Sequence, residues 1–228
     1  MFKFLSPPKS KRRRALDKAT SEVMRDYYSR PFCHSTYLWN DVDIVSLDFE
    51  TTGLDPQQDQ ILSIGRVDIC KGIIHLGSAR HQLVRPDGPI PEESAIIHHI
   101  TDDRANSGEA LEDVLPELLH HLSGKVMLVH YDKIEMSFLN AACQRLYDSP
   151  FMIPVIDTLK LAERVLMRRN HAISPNRLRL FNLRNDFHLP RYKAHNALND
   201  ALTTAELFLN LEGEITPKAA TRLRELLT

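Results

Sequence analysis

The sequence predicts an α/β fold in which a mixed five-stranded sheet, a three-stranded antiparallel meander joined to parallel strands, carries helices on its faces. Three observations lead there. Residues 43–84 read as three consecutive strands parted by turn-rich segments. Residues 110–211 then alternate amphipathic helices with short apolar strands. Of the 228 residues, 43% are apolar, enough for one well-filled core with a modest appendage.

Taken in order, residues 1–41 read as a basic appendage. The run "SPPKSKRRR" has nothing to bury, and "ALDKATSEVMRDYY" can form one polar helix. A solvated arm packed loosely on the domain is one reading, and a basic arm touching nucleic acid or a partner protein is the other. The main domain spans 42–212. Its strands are "DIVSLDF", "ILSIGRVDIC" and "GIIHLGSARHQLV", separated by "TGLDPQQD" and "KG". Next come the helix "ALEDVLPELLHHL", the strand "KVMLV", the helix "DKIEMSFLNAACQRLY", the strand "VIDT", the helix "LKLAERVL" and a closing helix in "HNALNDALTTAELFLNL". Residues 213–228 are expected as a helical tail.

Formal net charge is −1, so bulk electrostatics does not announce a nucleic-acid partner. The distribution says more: residues 85–120 carry nine acidic and two basic side chains, whereas residues 164–193 carry eight basic and one acidic. That second stretch, including Arg168, Arg169, Arg177, Arg179, Arg184, Arg191 and Lys193, reads either as a track for phosphates or as a solvated face. Cys33, Cys70 and Cys143 are odd in number and widely spaced, which argues against a disulfide framework and a cysteine zinc site and fits a reducing cytoplasm. No apolar run is long enough to span a bilayer, and the apolar segment of a signal peptide is missing, so no membrane partner is expected. The pairs His98-His99 and His120-His121 do not suggest zinc, because adjacent residues on regular structure point apart.

Three stations carry candidate chemistry. Along "VSLDFETTG", strand alternation sets Ser46, Asp48 and Glu50 on one face and Val45, Leu47 and Phe49 on the other. Two neighbouring carboxylates repel unless solvent, a proton or a hard divalent cation relieves them. The glycine behind them makes close approach of a ligand to the main chain plausible. In "HYDKIEMSFL", Glu135 shares a helical stripe with Leu139, Ala142 and Leu146, a costly place for a carboxylate. Asp132 and Glu135 also have the spacing of a helix capping box, and these residues alone leave both readings open. In "HNALND", His195 and Asp200 are five apart and cannot share a helical face, which places His195 before the last helix and Asp200 in its second turn. Asp157 in "VIDT" reads as a helix N-cap.

In this order the stations resemble the DEDDh (DnaQ-like) 3′ to 5′ exonuclease family, whose best-known members resemble the proofreading epsilon subunit of bacterial DNA polymerase III. That family shows Asp-x-Glu-Thr-Thr-Gly, here Asp48 to Gly53; His-Asn-x-x-Phe-Asp-x-x-Phe-Leu, here His130 to Leu139; and His-x-x-x-x-Asp, here His195 to Asp200. The middle motif departs from the pattern: Tyr131 stands for Asn, Ile134 for Phe and Glu135 for Asp, with Asp132 as the substitute acid. The segment "IIHHITDD" is similar to another family stretch near the terminal nucleotide, with His99 where a glycine is usual.

The resemblance covers residues 43–210 and implies an RNase H-like fold. It also implies two divalent cations, Mg²⁺ or Mn²⁺, held by Asp48, Glu50, Glu135 and Asp200, with His195 as general base. It implies substrate contacts from Phe49, Thr51, Thr52, Gly53, Leu54, His98 and His130. The expected reaction is hydrolysis at 3′ ends of single-stranded DNA, releasing nucleoside 5′-monophosphates, with a polymerase or repair factor as a possible partner. The alternatives are a 3′ to 5′ RNA-trimming enzyme and a catalytically weak binding or recruiting module of the same fold.

Overall fold

Strict alternation of side chains in β1, Ile44–Thr51, divides the core. Val45, Leu47 and Phe49 enter one buried apolar cluster, while Ile44 enters a second. The computed structural model describes residues 9–98, 100–169, 173–215 and 220–228. Ahead of β1 lie helices α1, Lys9–Lys18, and α2, Glu22–Ser29; β2, Ile61–Cys70, and β3, Ile73–Leu83, complete the meander. Then follow α3, Glu92–His98; α4, Asp102–Asn106; α5, Leu111–Leu122; β4, Val126–Val129; α6, Lys133–Tyr147; β5, Val155–Asp157; α7, Thr158–Arg168; α8, Leu180–Asp186; and α9, Ala197–Ile215.

The sheet has five strands in the order β3-β2-β1-β4-β5. β1 and β2, and β2 and β3, run antiparallel, whereas β4 runs parallel to β1 and β5 parallel to β4. This is the expected mixed sheet. Clusters from α2, α5 and α6 cover one face, and α7, α9 and the C-terminal leucines cover the other. Short helices α3, α4 and α8, of five to seven residues, are too brief to show a periodicity and were not expected. No helix of the described residues is long and apolar enough to cross a membrane.

Two expectations are corrected. The segment before β1 is not a loose arm: Met24, Tyr27 and Tyr28 of α2 are fully buried in the same cluster as β1 and α5. The Tyr27 hydroxyl donates to the Met152 carbonyl at 3.0 Å and the Tyr28 hydroxyl to the Pro150 carbonyl at 2.5 Å. The end of the chain is likewise no plain helical tail. Residues 216–219 lie outside the described residues; Arg222 then bridges to Leu38, and Leu223, Leu226 and Leu227 enter the core. The Thr228 N–H donates to the Val155 carbonyl at 3.1 Å, fastening the terminus to β5.

Candidate active site

β1 outruns its parallel neighbour. Its pairing with β4 ends at Ser46–Leu128, so Asp48 and Glu50 stand on a strand end that β4 does not flank. The β1–β2 register slips between Glu50 and Thr51, whose partners are Ser63 and Ile61, so the extra residue, Leu62, lies in β2 opposite the carboxylate-bearing strand end. The chain leaving β4 turns into α6, whose first turn brings Glu135 toward the same end.

From the opposite side comes α9. Gly65 of β2 is the register partner of Asp48, and a side chain there would lie 2.0 Å from the Ala197 carbonyl carbon and 2.2 Å from the Leu198 nitrogen. Glycine therefore allows the start of α9 to rest main chain against main chain on the sheet. The buried Ser46 hydroxyl donates to the Ala201 carbonyl at 2.7 Å and holds the next turn. Asp200 falls in the first turn of α9, not the second, because the helix begins at Ala197. His195 precedes it, as expected, in a left-handed conformation with φ of 58°. Its N–H donates to Asp200 Oδ2 at 2.9 Å, which gives the five-residue spacing a structural reason.

One carboxylate oxygen each from Asp48, Glu50 and Asp200 lies within 4.8 Å of the others, and Glu50, His98 and His195 form a second group of the same reach. Glu135 stands outside both groups but close enough to act electrostatically on Asp48. Glu50 is 5% exposed and Glu135 3%, and one oxygen of each, Glu50 Oε1 and Glu135 Oε2, is buried without a hydrogen-bond partner.

Burial, then the charges of Glu135, Asp200 and Glu50, raises the Asp48 carboxyl well above the usual range. Burial pushes Glu135 up to about 8, reinforced by Asp157 and Asp132 and partly offset by the main-chain N–H groups of Glu135 and Phe49. Burial and the Glu50 charge carry Asp200 to about 6, against relief from His195. Carboxylates packed at this cost, with orphaned oxygens, fit a hard divalent cation: the donor set is all oxygen, and a bound cation would reverse every one of these penalties.

The middle motif resolves in a way its spacing did not show. Asp132 makes no side-chain cap bond and has helical dihedrals, so the capping-box reading fails. Its carboxylate instead meets Lys160 Nζ at 2.5 Å. Asp157 is the N-cap expected of it, accepting from the Leu159 N–H at 2.9 Å. The same buried carboxylate also accepts from the Tyr131 N–H at 2.9 Å and the Asp132 N–H at 3.3 Å, fixing the β4–α6 turn, a role the sequence did not disclose.

The expected substrate contacts separate. The Phe49 side chain is buried in the core, which leaves its main chain as the part nearest a ligand. The Thr51 hydroxyl donates to the Gly53 carbonyl at 2.6 Å, and the Thr52 carbonyl accepts from Ser94 Oγ at 2.6 Å. The Thr52 N–H is spent on Gln60 O at 2.9 Å, so much of the expected main-chain cradle is engaged internally. Gly53 has a cause within the protein: an added Cβ would sit 2.4 Å from an Asp59 oxygen. Leu54 is exposed and available. His98 points into the site, its Nδ1 paired with Glu50 Oε2 and its ring 6.1 Å from that of His195. His99 lies outside the described residues. His130 uses both ring nitrogens inside the protein, on Thr158 Oγ1 at 2.8 Å and the Leu178 carbonyl at 2.9 Å, and is a strut in the cleft wall.

The basic stretch is mostly committed to the fold. Arg168 donates to the Ile215 carbonyl, Arg169 pairs with Glu214 at 2.7 Å and Arg177 with Asp186 at 2.8 Å. Arg184 is buried and donates to the Tyr192 carbonyl at 3.0 Å. Arg179, Arg191 and Lys193 remain exposed.

A parallel-and-antiparallel sheet of this order with an acidic cluster at its strand ends defines a hydrolase of the RNase H-like exonuclease type. The profile of the family described as "Exonuclease" (RNase T) matches residues 45–208, and the chain belongs to that family, in its DnaQ-like DEDDh branch. It is 32% identical over 188 residues to the PolC-type DNA polymerase III of Thermotoga maritima, covering 82% of this chain. It is also 32% identical over 171 residues to the DNA polymerase III subunit epsilon of Treponema pallidum, covering 75% of this chain and 76% of that protein. The chain spans only 13% of the PolC-type relatives' length. Among solved structures it resembles exonuclease X in complex with 5′ overhanging duplex DNA, with TM-score 0.59, 26% identity, and coverage of 80% of this chain and 98% of that one. The fold is also that of the nuclease domain of 3′hExo, a DEDDh family member bound to rAMP, with TM-score 0.65 at 19% identity, covering 77% and 94%.

Proposed function

We propose that this exonuclease hydrolyses single-stranded DNA from the 3′ end with two divalent cations, Mg²⁺ or Mn²⁺, releasing nucleoside 5′-monophosphates. The observation that carries this reading is the meeting of Asp48, Glu50 and Asp200 within 4.8 Å, beside a buried, partnerless Glu135 oxygen. These four side chains would hold the cations, which when bound supply a polarised water and charge stabilisation for the leaving 3′ oxygen. His195, which is exposed, would take the proton of the attacking water through its imidazole. The bond from the His195 N–H to the Asp200 carboxylate holds that ring's loop. Leu54, exposed next to the Thr-Thr-Gly turn, offers an apolar surface to the terminal base. Middle-motif ligation falls to Glu135, since Lys160 already holds Asp132.

Three free cysteines suit a reducing cytoplasm, and relatives named as polymerase III subunits make a polymerase the candidate partner. The test is digestion of 5′-labelled single-stranded DNA and RNA of the same sequence with Mg²⁺ or EDTA. A ladder shortening from the 3′ end of DNA, with Mg²⁺ only, is expected. Faster digestion of RNA would assign the trimming activity instead, and no product from either would leave a binding module.

A further inference from the structure

We propose that Tyr131 and Phe181 form a stacking track, particular to this chain, for the bases of the nucleotides on the 5′ side of the bond being cut. This rests on the exonuclease reading above and says where the rest of the strand lies. A cleft of about 810 Å³ adjoins the acidic site: His195 and Asp200 line it together with Tyr131, Phe181 and Arg179. Tyr131 is 41% exposed and Phe181 52%, and they are the exposed aromatic rings among the described residues that line this cleft. Large rings left in water beside a catalytic cleft are the usual platform for unpaired bases, each of which offers a π-face whatever its identity.

The Phe181 ring and the Tyr131 main chain are both held in place. The buried Arg184 guanidinium lies 4.9 Å from the Phe181 ring centre while it donates to the Tyr192 carbonyl. Tyr131 sits at φ of 77°, a conformation that disfavours any side chain, and the buried Asp157 carboxylate fixes it through the Tyr131 N–H. At this position the middle motif departs from the family's asparagine. Among the described residues lining the cleft, Asp200 is the sole acid, and exposed Arg179 has no ion-pair partner, so the walls suit a strand of phosphates better than an acidic or purely apolar peptide.

The test compares two substrates. A single-stranded oligonucleotide occupies the track, whereas the p-nitrophenyl ester of thymidine 5′-monophosphate fills only the terminal-nucleotide site. Tyr131→Gly removes the ring and suits the backbone; Phe181→Ala removes the other; Tyr131→Phe keeps a ring. For each ring removed, kcat/KM on the oligonucleotide should fall on the order of 10-fold further than on the ester, chiefly through KM. Tyr131→Phe should restore it. Equal losses on both substrates, or an unchanged oligonucleotide KM in the folded double variant, would overturn the track. If the wild-type protein cleaves neither substrate, the exonuclease reading fails by itself, and fluorescence anisotropy with a 5′-fluorescein oligothymidylate decides the track. Weaker binding by the double variant supports it. Equal binding rejects it and turns attention to a protein occupant.

Discussion

Gly65 faces Asp48 across the β1–β2 pairing, and the space of its missing side chain is filled by the main chain of Ala197 and Leu198. The site therefore depends on a residue that has no chemistry of its own. Gly65→Ala must drive the start of α9 off the sheet, since the atoms it meets are backbone and cannot rotate away. The expected cost is about 1–3 kcal/mol of stability in a denaturant melt. Because Asp200 and His195 move with the helix, kcat/KM should fall on the order of 10²-fold. Wild-type activity in this variant would show that α9 is not seated as described.

The two acids of the middle motif should behave very differently. Glu135→Ala is expected to lower kcat on the order of 10³-fold. Asp132→Ala breaks a part-exposed pair with Lys160, and stability should change by no more than about 1 kcal/mol with activity within a few-fold of wild type. Steady-state digestion of a single-stranded oligonucleotide separates the two, and the reverse order would move the ligand to Asp132.

Protonation gives an independent test in metal-free buffer. The Glu135 carboxyl rises from 4.5 to about 8 in the folded protein, so the native state binds the proton more tightly than the unfolded chain. Its contribution to stability therefore falls as pH rises from about 4.5 to about 8. Part-buried His81 and His130, whose proton affinities are lowered by desolvation, contribute with the opposite slope. The difference between variant and wild type isolates the carboxylate: in EDTA, Glu135→Gln should gain on wild type in Tm as pH climbs through that window. Saturating Mn²⁺ should reverse the order at pH 8, since only wild type keeps the full ligand set. Parallel Tm curves in EDTA would contradict the burial of a proton at Glu135.

Helix α2, ahead of β1, should prove structural. Tyr27→Ala removes a fully buried ring and its hydroxyl bond to Met152, with an expected loss of about 3–5 kcal/mol by chemical denaturation. A loss under about 1 kcal/mol would restore the loose-arm reading.

These outcomes mark what the chain discloses by itself. The meander and the alternating helices were legible because apolar periodicity is local, and the pairing of Asp48 with Glu50 on one face follows from strand geometry alone. The seat of α2 was not, because Tyr27 and Tyr28 find their partners at Met152 and Pro150, more than a hundred residues away. Asp132 and Glu135 misled by spacing: the capping pattern is local, whereas the lysine that claims Asp132 comes from α7. Charge counting likewise could not tell that Arg168 and Arg184 answer main-chain carbonyls of this same protein. Gly65 did leave a trace, an isolated glycine inside a strand pattern, which signals close approach of another backbone.

The most direct test of the account is single-turnover digestion of 5′-labelled single-stranded DNA with Mg²⁺ by Asp48→Ala, checked by circular dichroism to be folded. The account predicts loss of cleavage to the level seen in EDTA, because the carboxylate at the centre of the cluster is gone. Stepwise shortening from the 3′ end at the wild-type rate would contradict it.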